Sequence, residues 1–125
     1  MDLISVLAVA VGGASGAVLR YFISLVPFKC EFPFATMITN LIGAVIIGFI
    51  AGFATARNTN KNVVLFFKTG MCGGFTTFST FSLESLTLLE NGKWLMGITY
   101  IVISVIGCLL GVWCGLSFGK MIAEK

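Results

Sequence analysis

Four long apolar stretches dominate the chain, separated by three short polar interruptions. The first, Ile4–Val26, stops at Pro27 inside the string PFKCEFP. The second, Phe34–Ala56, runs into RNTNKN, and the third, Val63–Leu89, runs into ENGK. The fourth, Trp94–Phe118, leaves a short tail ending at Lys125. A membrane-crossing helix needs about 20 mostly apolar residues, and each stretch reaches that length. The pattern predicts one all-helical integral membrane domain over residues 1–125, with four spans and no soluble domain. Open backbone facing lipid costs too much for most other arrangements. The N-terminus has Asp2 and no basic residue before its apolar run, and Arg20 interrupts that run, so it reads as a retained first span and not a signal peptide.

Composition agrees. Hydrophobic residues make up 58% of the 125 positions and charged residues 10%, with a mean hydropathy of +1.04. A soluble domain carries about 25% charge, so the apolar side chains face lipid in a cell membrane. The net charge of +3, with no basic run, gives nucleic acid nothing to bind. Histidine is absent, which removes the usual proton shuttle and zinc ligand. Cys30, Cys72, Cys108 and Cys114 form no C-x-x-C pair and read as small hydrophobes. No nucleophile–base pair or metal cluster can be assembled, so the sequence does not describe an enzyme.

With four spans, the termini and the middle loop share one side. Arg57, Lys61, Lys120 and Lys125 lie there, against Lys29 and Lys93 on the other. This weak bias prefers cytoplasmic termini and also permits insertion in both directions. One small bundle has little room for a solvated path, so a transport role points to more than one copy. Gly107, Gly111, Gly115 and Gly119 recur every fourth residue, and Gly12/Gly16 and Gly48/Gly52 share the spacing. Such stripes let helix backbones approach closely in lipid, within one chain or between two.

Polar groups inside spans are functional candidates by default. Arg20, Lys68 and Glu84 each lie about 9 Å from a span end by helix rise, close enough for the cations to snorkel. Two cations against one acid favour an anion as cargo. Asn40, one turn after Thr36, offers an amide donor without a charge that would trap an anion. Tyr100, Ser104 and Cys108 form a thin polar stripe at i, i+4, i+8.

The third span is the most irregular. Gly70, Gly73 and Gly74 precede the β-branched pair Thr76–Thr77, all poor helix formers, which predicts a break at Gly73–Thr77. Broken spans carry ion sites: the first half ends in free carbonyls that suit a cation, and the second begins in free amides. Beyond the break, Phe78 and Phe81 share a face, and Thr77, Thr80 and Glu84 run beside it. A phenyl edge is positive and can replace part of an anion's water shell.

The run Gly73–Ser82, GGFTTFSTFS, resembles the pattern Gly-Gly-x-Thr-Thr-Phe-Ser-Thr-Phe of the Fluc (CrcB) fluoride channels. GGASGAVLRY at Gly12–Tyr21 is similar to the family's arginine-bearing first-span motif, and NLIGAVIIG at Asn40–Gly48 to its asparagine motif. The resemblance implies an antiparallel, dual-topology dimer with two fluoride pathways along the protomer interface. Phe78 and Phe81 would contact the ion by their ring edges, together with Asn40. Ser79, Thr80, Glu84, Tyr100 and Ser104 would follow along a polar track, and Cys108 stands where some members have serine. Arg20 would line a vestibule. Carbonyls of Gly73 and Thr76 from both protomers would hold one structural sodium ion that is not transported. The activity would be passive fluoride export. The chain carries the arginine, the asparagine and both phenylalanines, which favours a second copy of itself as partner. The alternative is a small multidrug-type, proton-coupled exporter, which relies on a first-span glutamate. Here that span carries Arg20 and no acid.

Overall fold

The computed structural model describes residues 2–125, and every regular element is helical. Helix α1 covers Leu3–Ser24, with Asp2 Oδ1 accepting the Ile4 N–H at its start. The loop through Pro27 and Pro33 leads to α2, Phe34–Arg57. Asn58 closes α2 in the left-handed region at φ 47°, which asparagine tolerates. A short α3, Lys61–Val64, passes into a π-helical stretch, Leu65–Cys72, and then α4, Gly73–Phe75. After two extended residues, α5 covers Phe78–Glu90. A turn containing Gly92 at φ +75° leads to α6, Trp94–Ala123, which runs past Phe118.

Helices α1, α2 and α6 are each long and apolar enough to cross a membrane. Their outward faces carry large exposed apolar side chains such as Leu7, Leu109 and Trp113. In water these would be a liability; in lipid they are the expected surface.

The glycine stripes are used inside the chain. A Cβ on Gly48 would run into the Val112 carbonyl, and one on Gly52 into that of Leu116. In return, Gly115 and Gly119 face the carbonyls of Val45 and Phe49. These contacts advance in the same direction along both helices, so α2 and α6 pack as a parallel pair. Gly12 and Gly16 meet the Phe66 and Met71 carbonyls, while Gly70 and Gly74 meet those of Val9 and Gly13. Thus α1 pairs in parallel with the π-helical stretch and α4. Backbones this close permit Cα–H···O contacts, which help replace the missing hydrophobic drive in lipid. The choice between packing within one chain and between two, open in the sequence, is answered for both pairs.

The chain break is narrower than the predicted Gly73–Thr77. Gly73 and Gly74 remain helical, and only Thr76 (φ −80°, ψ 157°) and Thr77 (φ −149°, ψ 112°) are extended. Packing explains the difference: Gly74 is held against Gly13 of α1, and that contact overrides the poor helix propensity of glycine. The irregularity that glycine does introduce appears one turn earlier, in the π-helical stretch around Gly70.

Candidate functional site

The site grows from the two extended threonines. Thr77 N–H donates to Asn40 Oδ1 at 2.8 Å, and Asn40 Nδ2 donates back to the Thr77 carbonyl at 3.0 Å. This pair of bonds also fixes which end of the Asn40 amide is which. It leaves the second Nδ2 hydrogen of Asn40 for another acceptor. Gly43 makes the approach possible, because a Cβ there would strike the Thr76 methyl. Thr77 then starts α5: its hydroxyl oxygen accepts the Thr80 N–H at 3.2 Å and donates to Thr80 Oγ1 at 3.0 Å.

This rearrangement has a consequence for two carbonyls. In a continuous helix the Gly73 carbonyl would accept from Thr77 N–H, and the Thr76 carbonyl from Thr80 N–H. Both amides are diverted, to Asn40 and to the Thr77 hydroxyl. The Gly74 carbonyl has a different partner, Arg20 Nε at 3.3 Å. The break therefore presents oxygen acceptors without a backbone donor, a set suited to a hard cation.

Below the break, a cleft of about 390 Å³ is lined by Asn40, Gly43, Thr76, Thr77, Phe78, Phe81, Ser104 and Cys108, with aliphatic residues of α2 and α6. The start of α5 opens into it, with first-turn amides that lack helical acceptors and carry partial positive charge. Phe78 is 79% exposed, whereas Phe81 is 8% exposed. Their ring centroids are 5.6 Å apart at 45°. Phe81 is backed by Tyr100, 5.2 Å away, and Tyr100 is in turn met edge-on by Phe32 at 5.6 Å and 82°. Ser104 Oγ is buried and has no hydrogen-bond partner among the described residues.

Next to this cleft the polar groups of three helices meet. Glu84 accepts the Tyr100 hydroxyl at 2.8 Å and the Thr36 hydroxyl at 2.9 Å, one on each oxygen. Tyr100 has no exposed surface, and Thr36 is also buried. A carboxylate at membrane depth is expensive, and two charge-assisted bonds offset part of that cost.

The fold thus gathers Asn40, Phe78, Phe81, Ser104 and Thr76 around one cleft, with Glu84 and Tyr100 adjoining through Phe81. Cys108 lines the same cleft. Thr80 sits one turn into α5, tied to Thr77. Ser79 is exposed beside it, its hydroxyl 3.4 Å from that of Thr77, and does not line the cleft. Arg20 is half-buried against the break, and Gly73 and Lys68 are exposed. Sequence reasoning left three structural participants out of the site. Thr77 has the hydroxyl of a helix N-cap, a readable signal. Thr36 precedes Asn40 by one turn, which places it on the right face. Gly43 carries no signal beyond its spacing.

A family model described as CrcB-like protein, Camphor Resistance (CrcB), matches residues 7–116. The chain is 44% identical over 127 residues to a protein of Ruminiclostridium cellulolyticum, covering 98% of each chain. It is 43% identical over 110 residues to one from Methanococcus aeolicus, covering 87% of this chain and 89% of that one. It is 43% identical over 113 residues to one from Acinetobacter baumannii, covering 89% and 90%. All three are named fluoride-specific ion channel FluC. With three helices able to cross a bilayer, the chain is a multi-pass membrane protein. Matched over most of its length by the family model and by relatives at 43–44% identity, it belongs to the CrcB family.

Proposed function

We propose that the chain is the protomer of a fluoride channel that lets the anion leave the cell passively. Its relatives are named as fluoride-specific channels, and no bond is made or broken in such a role. The observation that carries the reading is the cleft at the start of α5. It combines the Asn40 amide, the Phe78 and Phe81 rings, the buried Ser104 hydroxyl and open helix amides. Each is a donor or a positive edge without full charge, so an anion is solvated without being trapped. The Thr36 and Tyr100 hydroxyls, whose protons are given to Glu84, extend the polar groups from the cleft to that carboxylate.

In this reading the interrupted segment from Lys61 to Glu90 completes four crossings, and two protomers pair antiparallel. The cleft lies on the surface of one protomer, and a second copy would wall it. Arg20 lies close enough to the break to keep an adjoining vestibule positive. The Gly73 and Thr76 carbonyls of both chains would hold a sodium ion, whose role is to offset the carbonyl dipoles at the dimer centre. The absence of an acid in α1 weighs against a proton-coupled exporter.

The test is fluoride efflux from liposomes containing the purified protein, with chloride in parallel. Fast fluoride release with no chloride release is expected. Release of neither ion from folded protein would remove the channel reading for this chain alone.

The paired arrangement makes a separate prediction. A Cβ on Gly73 meets nothing within 4 Å in the protomer. Gly73→Val is therefore expected to leave the single chain folded and to shift the monomer–dimer balance in detergent toward monomer by about tenfold or more, because the side chain crowds the partner's carbonyls. An unchanged dimer fraction by size-exclusion light scattering would place Gly73 outside the interface.

A further inference from the structure

We propose that Thr77 is a positioning residue whose side chain, together with that of Asn40, holds the chain break open and so keeps the Gly73 and Thr76 carbonyls free for a cation. This rests on reading those carbonyls as a sodium site, and it names what maintains the site within each protomer.

The break rests on exchanged hydrogen-bond partners. A helix running through residues 73–80 would satisfy the Gly73 and Thr76 carbonyls with the Thr77 and Thr80 amides. Two side-chain oxygens take those amides instead, Asn40 Oδ1 at 2.8 Å and Thr77 Oγ1 at 3.2 Å. Asn40 adds a second bond, from Nδ2 to the Thr77 carbonyl at 3.0 Å. The substitutes come from α2 and from the threonine itself, so the break has specific supports and is more than a run of poor helix formers. Without the Thr77 hydroxyl, the part-buried Thr80 amide loses its protein acceptor. It regains one by winding α5 back through Thr77 onto the Thr76 carbonyl. That carbonyl is then spent, and the cation loses a ligand. The same clamp sets where α5 begins and hence where Phe78 projects, so the proposed cation site and anion path share one support.

Thr77 is the better residue to test, since Asn40 also lines the proposed anion path. The experiment is thermal melting of the purified dimer across a sodium titration, with N-methylglucamine as replacement, for the parent, Thr77→Val, Thr77→Ser and Thr77→Asn. Sodium is expected to raise the parent's melting temperature. Thr77→Val should weaken apparent sodium affinity by about tenfold or more, while Thr77→Ser and Thr77→Asn, which keep an acceptor, should stay within about threefold. A sodium response in Thr77→Val equal to the parent's would overturn the inference and leave the sodium site standing. Should Thr77→Val not fold, loss of the sodium response in both Thr77→Ser and Thr77→Asn overturns it equally, and its retention in both supports it. A parent with no sodium response would remove the sodium site and this inference with it.

Discussion

Replacing Phe78 with isoleucine is expected to abolish fluoride flux while changing the stability of the protomer by no more than about 0.5 kcal/mol. The two halves of that expectation come from one observation. Phe78 is 79% exposed at the first position of α5, so its ring supports little of the chain's own packing. It nevertheless lines the cleft beside Asn40 and lies 5.6 Å from the Phe81 ring. Isoleucine keeps the bulk and the apolar character and removes only the positive ring edge. Phe81→Ile should also stop flux, but it is a less clean experiment. Phe81 is buried against Tyr100, and the substitution is expected to cost about 1–2 kcal/mol through imperfect repacking. Flux from liposomes and thermal melting, measured on the same preparations, separate the two effects. Parent-like flux through Phe78→Ile would reduce that ring to a lipid-facing or interface side chain.

Gly115→Ala is expected to be, with Gly16→Ala, among the most disruptive single-methyl changes in the chain, at about 3 kcal/mol. The added Cβ would overlap the Val45 carbonyl and lie 2.8 Å from the Phe49 backbone nitrogen. Both obstacles are main chain of a helix, so no rotamer change relieves them and α2 must separate from α6. These two helices carry Asn40 on one side and Tyr100 and Ser104 on the other, so the cleft opens as they part. Gly107 is the internal control. It belongs to the same every-fourth-residue series, yet its added Cβ would meet only the Leu41 side chain, at an ordinary 3.6 Å. Gly107→Ala should therefore melt within about 0.5 kcal/mol of the parent. Equal melting of the Gly115 and Gly107 variants would mean that the α2–α6 crossing is looser than described.

The contrast between these two glycines marks what was legible in the sequence. Spacing alone put both on one face, and only the partner helix distinguishes a glycine that touches backbone from one that touches a side-chain methyl. The apolar stretches announced an all-helical membrane chain, because lipid leaves the backbone few alternatives. The site residues were less evenly readable. Asn40, Phe78 and Phe81 stood out through their motifs, but that Asn40 spends two bonds on the Thr77 backbone depends on how α2 lies against the break. The break itself was foreseen in the right place but too wide, over Gly73–Thr77 where only Thr76 and Thr77 are extended. Glycine propensity was read locally, whereas Gly74 answers to Gly13, far away in sequence. Thr36 lacked any local mark of its bond to Glu84, since that contact joins α2 to α5.

The parallel pairing bears on how such a chain is made. Consecutive helices joined by loops this short cannot pack in parallel, and here α1 waits for the segment after α3, while α2 waits for α6. During synthesis the glycine face of α2 at Gly48 and Gly52 therefore has no mate until Val112 and Leu116 have left the ribosome. The bundle cannot accumulate as successive hairpins, and its two seams close late, across already inserted segments. A nascent chain halted after Glu90 would hold every residue of the break and still lack the helix on which α2 rests.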